Sequence, residues 1–101
     1  MKFILKGLFK ENIYNLMRES GYYFQGKNEE KGESNFVRPP RNYPRFHIYL
    51  KVESENLIFN LHLDQKKPIY EGIPAHSGEY ESKVVEQEAE RIKQIFKNNS
   101  L

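Results

Sequence analysis

Two histidines and one aspartate are the residues of this sequence whose types and spacing could support chemistry. They are His47, His62 and Asp64, and they lie in one stretch, residues 45–64, which reads RFHIYLKVESENLIFNLHLD. A histidine titrates near neutral pH, and its neutral ring binds transition metals. An aspartate can orient a histidine or bind the same metal ion. The three side chains therefore indicate a metal site or general acid–base catalysis, if the fold brings them together.

The hydrophobic pattern of the stretch predicts a β-hairpin that does so. Apolar residues fall on every second position, which is the period of a half-buried strand. A four-residue loop over Glu53–Asn56 would pair Val52 with Leu57 and His47 with His62. A shift of one residue would place His62 opposite an apolar side chain, so the pattern itself sets the register. The apolar face, predicted to lie in the core, consists of Phe46, Ile48, Leu50, Val52, Leu57, Phe59, Leu61 and Leu63.

One chemistry open to the polar face is metal binding. Directly opposed residues of an antiparallel pair have Cα atoms about 4.5–5.5 Å apart, close enough for two imidazoles to bind one ion. Asp64 would point the same way as His62, and His76 could approach from the long connection that follows, residues 65–81. The predicted ligands of a divalent transition metal such as zinc are His47, His62, Asp64 and His76.

Metal-free phosphodiester chemistry is a second possibility. His47 and His62 would act as general base and general acid, with Asp64 orienting His62. Phosphate charge would be stabilised by a nearby cation. The candidates are Arg45, Lys51, Lys66 and Lys67.

Binding without catalysis is the function that the sequence favours, with RNA or DNA as the ligand. The polar face carries an aromatic ring and cations, and the connection before it, RPPRNYPR, adds arginines. The residues expected to contact the ligand are Arg38, Arg41, Tyr43, Arg45, Tyr49, Lys51, Asn60 and Lys66. The same surface could instead contact another protein or form a homodimer, because Tyr and Arg are frequent anchors of protein contacts. A purely structural role of the histidines also stays open.

The flanking segments predict an α+β fold around the hairpin. Helical spacing of apolar residues predicts helices over Lys10–Ser20 and Ser82–Asn98. Ser34–Arg38 reads as a strand that ends at two prolines, Gly26–Ser34 as a surface loop, and Met1–Leu5 as a strand or an apolar lead-in. We therefore expect a single domain, residues 1–101, with an antiparallel sheet of three or four strands, helices on one face, and the order (β)-α-β-β-β-α.

The amino-acid composition and the charge distribution limit the functions and cellular settings that can be expected. The chain has 101 residues and no cysteine, which excludes disulfides and thiol catalysis. No secretory signal or membrane span is recognisable, so the expected setting is the cytoplasm with no membrane partner. The formal net charge is +2, and residues 1–51 hold ten of the 16 Lys and Arg residues. This asymmetry suits an anionic partner.

Short segments of the sequence resemble two known protein families. A helix ending in ESGYYF, followed by strands that carry a histidine, resembles the HicA-like mRNA interferases. That resemblance implies a double-stranded-RNA-binding-type fold and a single catalytic histidine, which His47 matches by position. The segments PRFHIYLK, LHLDQKKPIYEG and AHSGEYE resemble parts of a family of small bacterial proteins that has no assigned activity.

Overall fold

Six β-strands and two α-helices are present in the described part of the chain. The computed structural model describes residues 1–65, 78–79 and 82–101, of which 78–79 are described as backbone only. The elements are β1 Lys2–Lys6, α1 Ile13–Glu19, β2 Tyr23–Asn28, β3 Glu33–Arg38, β4 Arg45–Glu53, β5 Asn56–Asp64, β6 Gly78–Glu79 and α2 Lys83–Asn98.

The strands form one antiparallel sheet in the order β1-β5-β4-β3-β2, and the short strand β6 pairs with the end of β5. The predicted α+β class is therefore confirmed. The strand that the sequence left open at Met1–Leu5 is present as β1. The predicted strand count and element order are wrong, because β2 lies between α1 and β3 and β6 precedes α2. The connection predicted as one long loop over residues 65–81 also contains β6.

The ends of strands β2 and β3 take up five of the nine residues of the loop predicted over Gly26–Ser34. Gly26 pairs with Asn35 in β3, and the two strands are joined by a turn at residues 29–32. A β-bulge between Phe24 and Gly26 interrupts the alternation, and Phe24 and its neighbours are exposed. The surface-loop prediction fits the exposed turn at residues 29–32 and was wrong for the part that lies in β2, because a bulged, exposed edge strand has no periodic hydrophobic signal.

The core lies between the helices and one face of the sheet, which we call the inner face. Phe59 at its centre stacks on Phe3 at 4.8 Å between ring centroids and meets the edge of Phe96 at 5.4 Å. The buried apolar side chains of this layer include Leu16 and Met17 of α1, Val85, Ala89, Ile92 and Phe96 of α2, and Phe36, Ile48, Leu50, Leu57, Phe59, Leu61 and Leu63 of the sheet. The predicted core is thus confirmed for most of the hairpin. Phe46 is only partly buried against this core, and Val52 is 51% exposed because it lies beside the turn.

Both helices begin at a capping side chain. Oδ1 of Asn12 accepts a hydrogen bond from the backbone of Asn15, and Oγ of Ser82 accepts one from Val85. Helix α1 therefore starts at Ile13 and not at Lys10. The backbone N–H of Lys10 instead donates to the carbonyl of Asn99 at 2.8 Å, which holds this segment against the end of α2. Neither helix in the described ranges is long and apolar enough to span a membrane.

The register of the β4–β5 hairpin is the predicted one. Val52 pairs with Leu57, and His47 pairs with His62. The predicted four-residue loop was wrong, because Glu53 and Asn56 also pair and the connection is only Ser54 and Glu55. Ser54 adopts a positive φ of 58°, which allows so tight a turn.

Candidate metal centre on the outer sheet face

The sheet face opposite the helices, here called the outer face, carries the predicted polar residues of the hairpin. Alternation along β4 places His47 and Tyr49 on this face, and alternation along β5 places Asn60, His62 and Asp64 there. The pairing of His47 with His62 brings their ring centroids to 4.9 Å. The hydrophobic register of the inner face thus positions the two histidines side by side.

Asp64 connects the two histidines. Its Oδ1 lies 2.9 Å from Nε2 of His62, and its Oδ2 lies 3.4 Å from Nδ1 of His47. One nitrogen of each ring and one carboxylate oxygen all lie within 4.8 Å of one another. We call these three residues the His–His–Asp cluster. The predicted convergence of His47, His62 and Asp64 is therefore present in the structure.

Asn35 on β3 contacts the nitrogen of His47 that lies away from Asp64. Its Oδ1 lies 3.0 Å from Nε2 of His47, so that nitrogen can donate to the amide oxygen. A neutral imidazole carries one N–H, and the opposite nitrogen, Nδ1, is then an acceptor that faces the carboxylate of Asp64. Two acceptors that face each other at 3.4 Å favour a bound cation or proton between them.

Burial favours the neutral form of both rings. The exposed fraction of the side chain is 9% for His62 and 15% for His47. Burial lowers the pKa of both imidazoles below the ordinary value, and each shift persists although the Asp64 carboxylate opposes it. Neutral imidazoles are the form that binds transition metals, so the cluster is competent as a ligand set near pH 7.

An aromatic ring borders the cluster. Tyr49 stacks on His47 at 4.4 Å between ring centroids and lies 5.8 Å from His62. Asn60, which pairs with Tyr49 across the hairpin, is half-buried on the same face. This row of rings offers a stacking surface next to polar groups.

Arg45 lies at the other side of the cluster. Its Nε is 3.9 Å from Oδ2 of Asp64, and its guanidinium carbon lies 4.7 Å above the ring of Tyr43. Its Nη1 makes one long hydrogen bond, of 3.5 Å, to the carbonyl of Pro40. Within the described residues, the buried Nε has no hydrogen-bond partner. Arg45 is therefore a cation with weak polar contacts beside the cluster.

The remaining predicted ligand residues are scattered or undescribed. Lys51 lies on the outer face and forms an ion pair with Glu53 at 3.0 Å. Arg41 is exposed in the connection between β3 and β4. His76 and Lys66 lie outside the described residues.

Arg38 lies on the inner side of the sheet. It shares the alternation of Phe36 on β3, and its guanidinium binds the carboxylate of Glu88 on α2 at 3.1 and 3.2 Å. Oε2 of Glu88 also accepts a hydrogen bond from Tyr22 at 2.6 Å, and Arg91 donates to the same carboxylate at 2.8 and 2.9 Å. Burial opposes ionisation of Glu88, but these hydrogen bonds outweigh it and lower its pKa. The structure thus assigns Arg38 to a structural ion-pair network and does not bring it to the cluster.

Sequence reasoning missed Asn35, although a signal for it was present. The predicted strand Ser34–Arg38 places Phe36 inward, which places its neighbour Asn35 outward. The pairing of β3 with β4 then sets Asn35 beside His47. The residues that β2 adds to the outer face could not be predicted, because no strand was predicted there.

Comparisons with known proteins do not assign this chain to a family. No protein-family model matches the chain, and no match was found among the curated proteins or the solved structures.

Proposed function

We propose that the His–His–Asp cluster binds a divalent first-row transition metal ion, with zinc as the best match to the ligand types. The observation that carries the proposal is the convergence of two imidazole nitrogens and a carboxylate oxygen within 4.8 Å. Imidazole and carboxylate are ligands that zinc accepts. The ligand atoms would be Nδ1 of His47, Nε2 of His62 and one oxygen of Asp64.

The distances suit an ion after a small adjustment. Zinc lies about 2.0–2.2 Å from nitrogen and oxygen ligands, so two ligands of a tetrahedral site are about 3.4 Å apart. The two distances to Asp64, 3.4 and 2.9 Å, are near that value. The widest separation in the cluster, up to 4.8 Å, would shorten by rotation of the rings. Nε2 of His62 would bind the ion after the single proton of the neutral ring moves to Nδ1, which leaves a lone pair on Nε2 for the ion.

Three protein ligands leave a fourth position. A zinc site with three protein ligands and one water is the usual arrangement where the ion activates that water. A protein ligand in the fourth position would make the site structural, and His76 is the residue that the sequence predicts for it. The ligand count thus separates a catalytic ion from a structural one.

The experiment is metal analysis of untagged protein, compared with His62→Ala and with Asn60→Ala as a control on the same sheet face. We expect one equivalent of zinc in the unaltered protein and in Asn60→Ala, and a strongly reduced content in His62→Ala. Equal zinc content in His62→Ala and the unaltered protein contradicts the site. The His76→Ala variant, measured in parallel, tests the fourth ligand.

Metal-free histidine catalysis is less favoured by the same geometry. General acid–base catalysis requires that both rings reach the substrate. The side chain of His62 is only 9% exposed, and its Nε2 already contacts Asp64. A metal-dependent phosphodiesterase fits the cluster better than a histidine-only enzyme, because the ion could present an activated water at the surface.

Nucleic-acid binding is the second candidate, and the stack of Tyr49 on His47 is the observation that favours it. Aromatic rings beside cations are the usual platform for single-stranded bases. The cations on this face include Lys51 and the exposed Lys2, which pairs with Asn60. A retardation assay with short RNA and DNA at two salt concentrations tests it, because phosphate contacts weaken as salt rises. No retardation at low salt contradicts this candidate.

A further inference from the structure

A cleft of about 370 Å³ opens on the outer face next to His47. It extends across β2, β3 and β4, and its far wall is the bulge of β2 that the sequence pattern did not indicate. Its polar lining residues are Gln25, Lys27, Asn28, Asn35, Arg45 and His47. The cleft shares the residue His47 with the His–His–Asp cluster, and its other lining residues do not belong to the cluster.

The lining is rich in donors and cations. Side-chain amides come from three of its residues, and Arg45 and Lys27 contribute positive charge. Among the described residues that line the cleft, none carries a carboxylate. Such a surface favours an anion, because amide N–H groups and a guanidinium can donate to several oxygens of one phosphate.

Arg45 contributes a guanidinium group to the lining of the cleft. A half-buried guanidinium normally donates to several close acceptors. Here, within the described part of the chain, the buried Nε has no hydrogen-bond partner and lies 3.9 Å from the carboxylate of Asp64. The donors that can reach a ligand are therefore the Nη groups, whose hydrogen bond is the long one of 3.5 Å from Nη1 to the carbonyl of Pro40. The stack on Tyr43 fixes the plane of the guanidinium at little cost in hydrogen-bonding capacity. Arg45 is therefore held in place with donor capacity to spare.

We infer that this cleft binds a phosphate group, carried by a free phosphate compound such as a mononucleotide or by a nucleic-acid backbone. Arg45 and the amide of Gln25 are the principal donors to its oxygens. The phosphate would lie beside His47, next to the proposed ion. The inference does not require the ion, since none of the cleft residues other than His47 belongs to the His–His–Asp cluster.

The test is a titration of metal-free, EDTA-treated protein, in which two-dimensional NMR spectra of the backbone amides are recorded at each step. The probes are inorganic phosphate, adenosine 5′-monophosphate and a short single-stranded RNA. We expect the amide signals of Gly26 and Asn35 to shift on saturation. Shifts with phosphate or the mononucleotide identify a free phosphate compound, whereas shifts with RNA alone identify the backbone of a nucleic acid.

Two variants test the donors. Gln25→Glu keeps the size of an exposed side chain and adds a negative charge, and we expect it to weaken binding by roughly tenfold or more, the loss of about one charge-assisted contact. Arg45→Met should weaken binding at least as much. Gln87→Glu, an exposed change on α2, is the matched control and should bind like the unaltered protein.

Three results would overturn the inference. They are the absence of shifts with all three probes at millimolar concentration, equal affinity in Gln25→Glu and Gln87→Glu, and binding that appears only after zinc is added. The last result would place the phosphate on the ion. It would contradict phosphate binding by the cleft and leave the proposed metal site intact. Conversely, if the unaltered protein contains no zinc but the metal-free protein binds phosphate, the metal site is contradicted and the cleft is supported.

Discussion

Oδ1 of Asp64 lies 2.9 Å from Nε2 of His62, two residues earlier on the same strand. Alternation along a strand points both side chains to one face, and pairing with β4 adds His47 on the other side of the carboxylate. A single acidic group thereby serves two histidines. The relationship makes Asp64 the residue on which the proposed metal site depends most.

Replacing Asp64 by Asn tests that dependence. The amide keeps the size of the side chain but removes the negative charge that offsets the charge of the ion. We expect Asp64→Asn to weaken zinc binding at least about tenfold, measured by competition with a chromogenic chelator. Glu53→Gln removes an exposed carboxylate from the same hairpin and is the matched control. Equal zinc affinity in the two variants would exclude Asp64 as a ligand.

The buried histidines predict a pH dependence of stability in the metal-free protein. The pKa of His47 and that of His62 are lowered by burial, so the unfolded state takes up protons first as the pH falls. Full stability is expected above the unfolded value of about 6.5, and it should decrease as the pH falls below that value. Urea unfolding at several pH values between about 5 and 8 measures the slope.

A double variant identifies the source of that slope. Replacing both histidines by Gln removes the titrating groups, and the free energy of unfolding should then change less over this interval. The loss expected from Glu88 occurs at lower pH, because its folded-state pKa is lowered and its stabilisation disappears only as the carboxylate is protonated. An unchanged slope in the double variant would assign the pH dependence to other groups.

The register of the β4–β5 hairpin could be predicted from the sequence, because eight apolar positions agree on it. A slip of a single residue would expose that whole set, so hydrophobic burial specifies the pairing of His47 with His62. Strand β2 has no such constraint. Its side chains are largely exposed, its bulge breaks the alternation, and backbone pairing with β3 stabilises it. Local pattern therefore predicts the centre of the sheet and not its edge.

Two further predictions were wrong because the alternation of apolar residues does not report specific hydrogen bonds, local or long-range. The start of α1 is set by a cap at Asn12 and by the bond between Lys10 and Asn99, which a helical pattern does not report. Arg38 was interpreted as part of a basic arm because prolines follow it. Its partner Glu88 is 50 residues away in the chain, so only the packing of α2 on the sheet shows that the pair exists.

The Glu88 network predicts a large difference between two otherwise similar substitutions. Glu88 is 4% exposed and accepts hydrogen bonds from Tyr22, Arg38 and Arg91. Breaking a buried pair typically costs about 3–5 kcal/mol, and the partial exposure of both arginines reduces this for Glu88→Gln to about 2–3 kcal/mol. The measurement is the free energy of unfolding in urea.

Glu90→Gln is the control for that measurement. Glu90 is exposed on the same helix and contacts Lys93 at 3.2 Å. Surface pairs of this kind contribute at most about 1 kcal/mol, and usually less. If the two variants differ by less than about 1 kcal/mol, the network stabilises the fold no more than a surface pair does.

The hairpin loop offers a substitution that should stabilise the protein. Ser54 is the one described non-glycine residue with a positive φ, 58°. An L-residue in this region costs about 1–2 kcal/mol, and glycine avoids the cost but loses about 0.5–1 kcal/mol more backbone entropy on folding. Ser54→Gly should therefore raise the free energy of unfolding by about 0.5–1 kcal/mol. Glu55→Gly has no strain to relieve and should lower it, so a decrease in both variants would contradict the strained turn at Ser54.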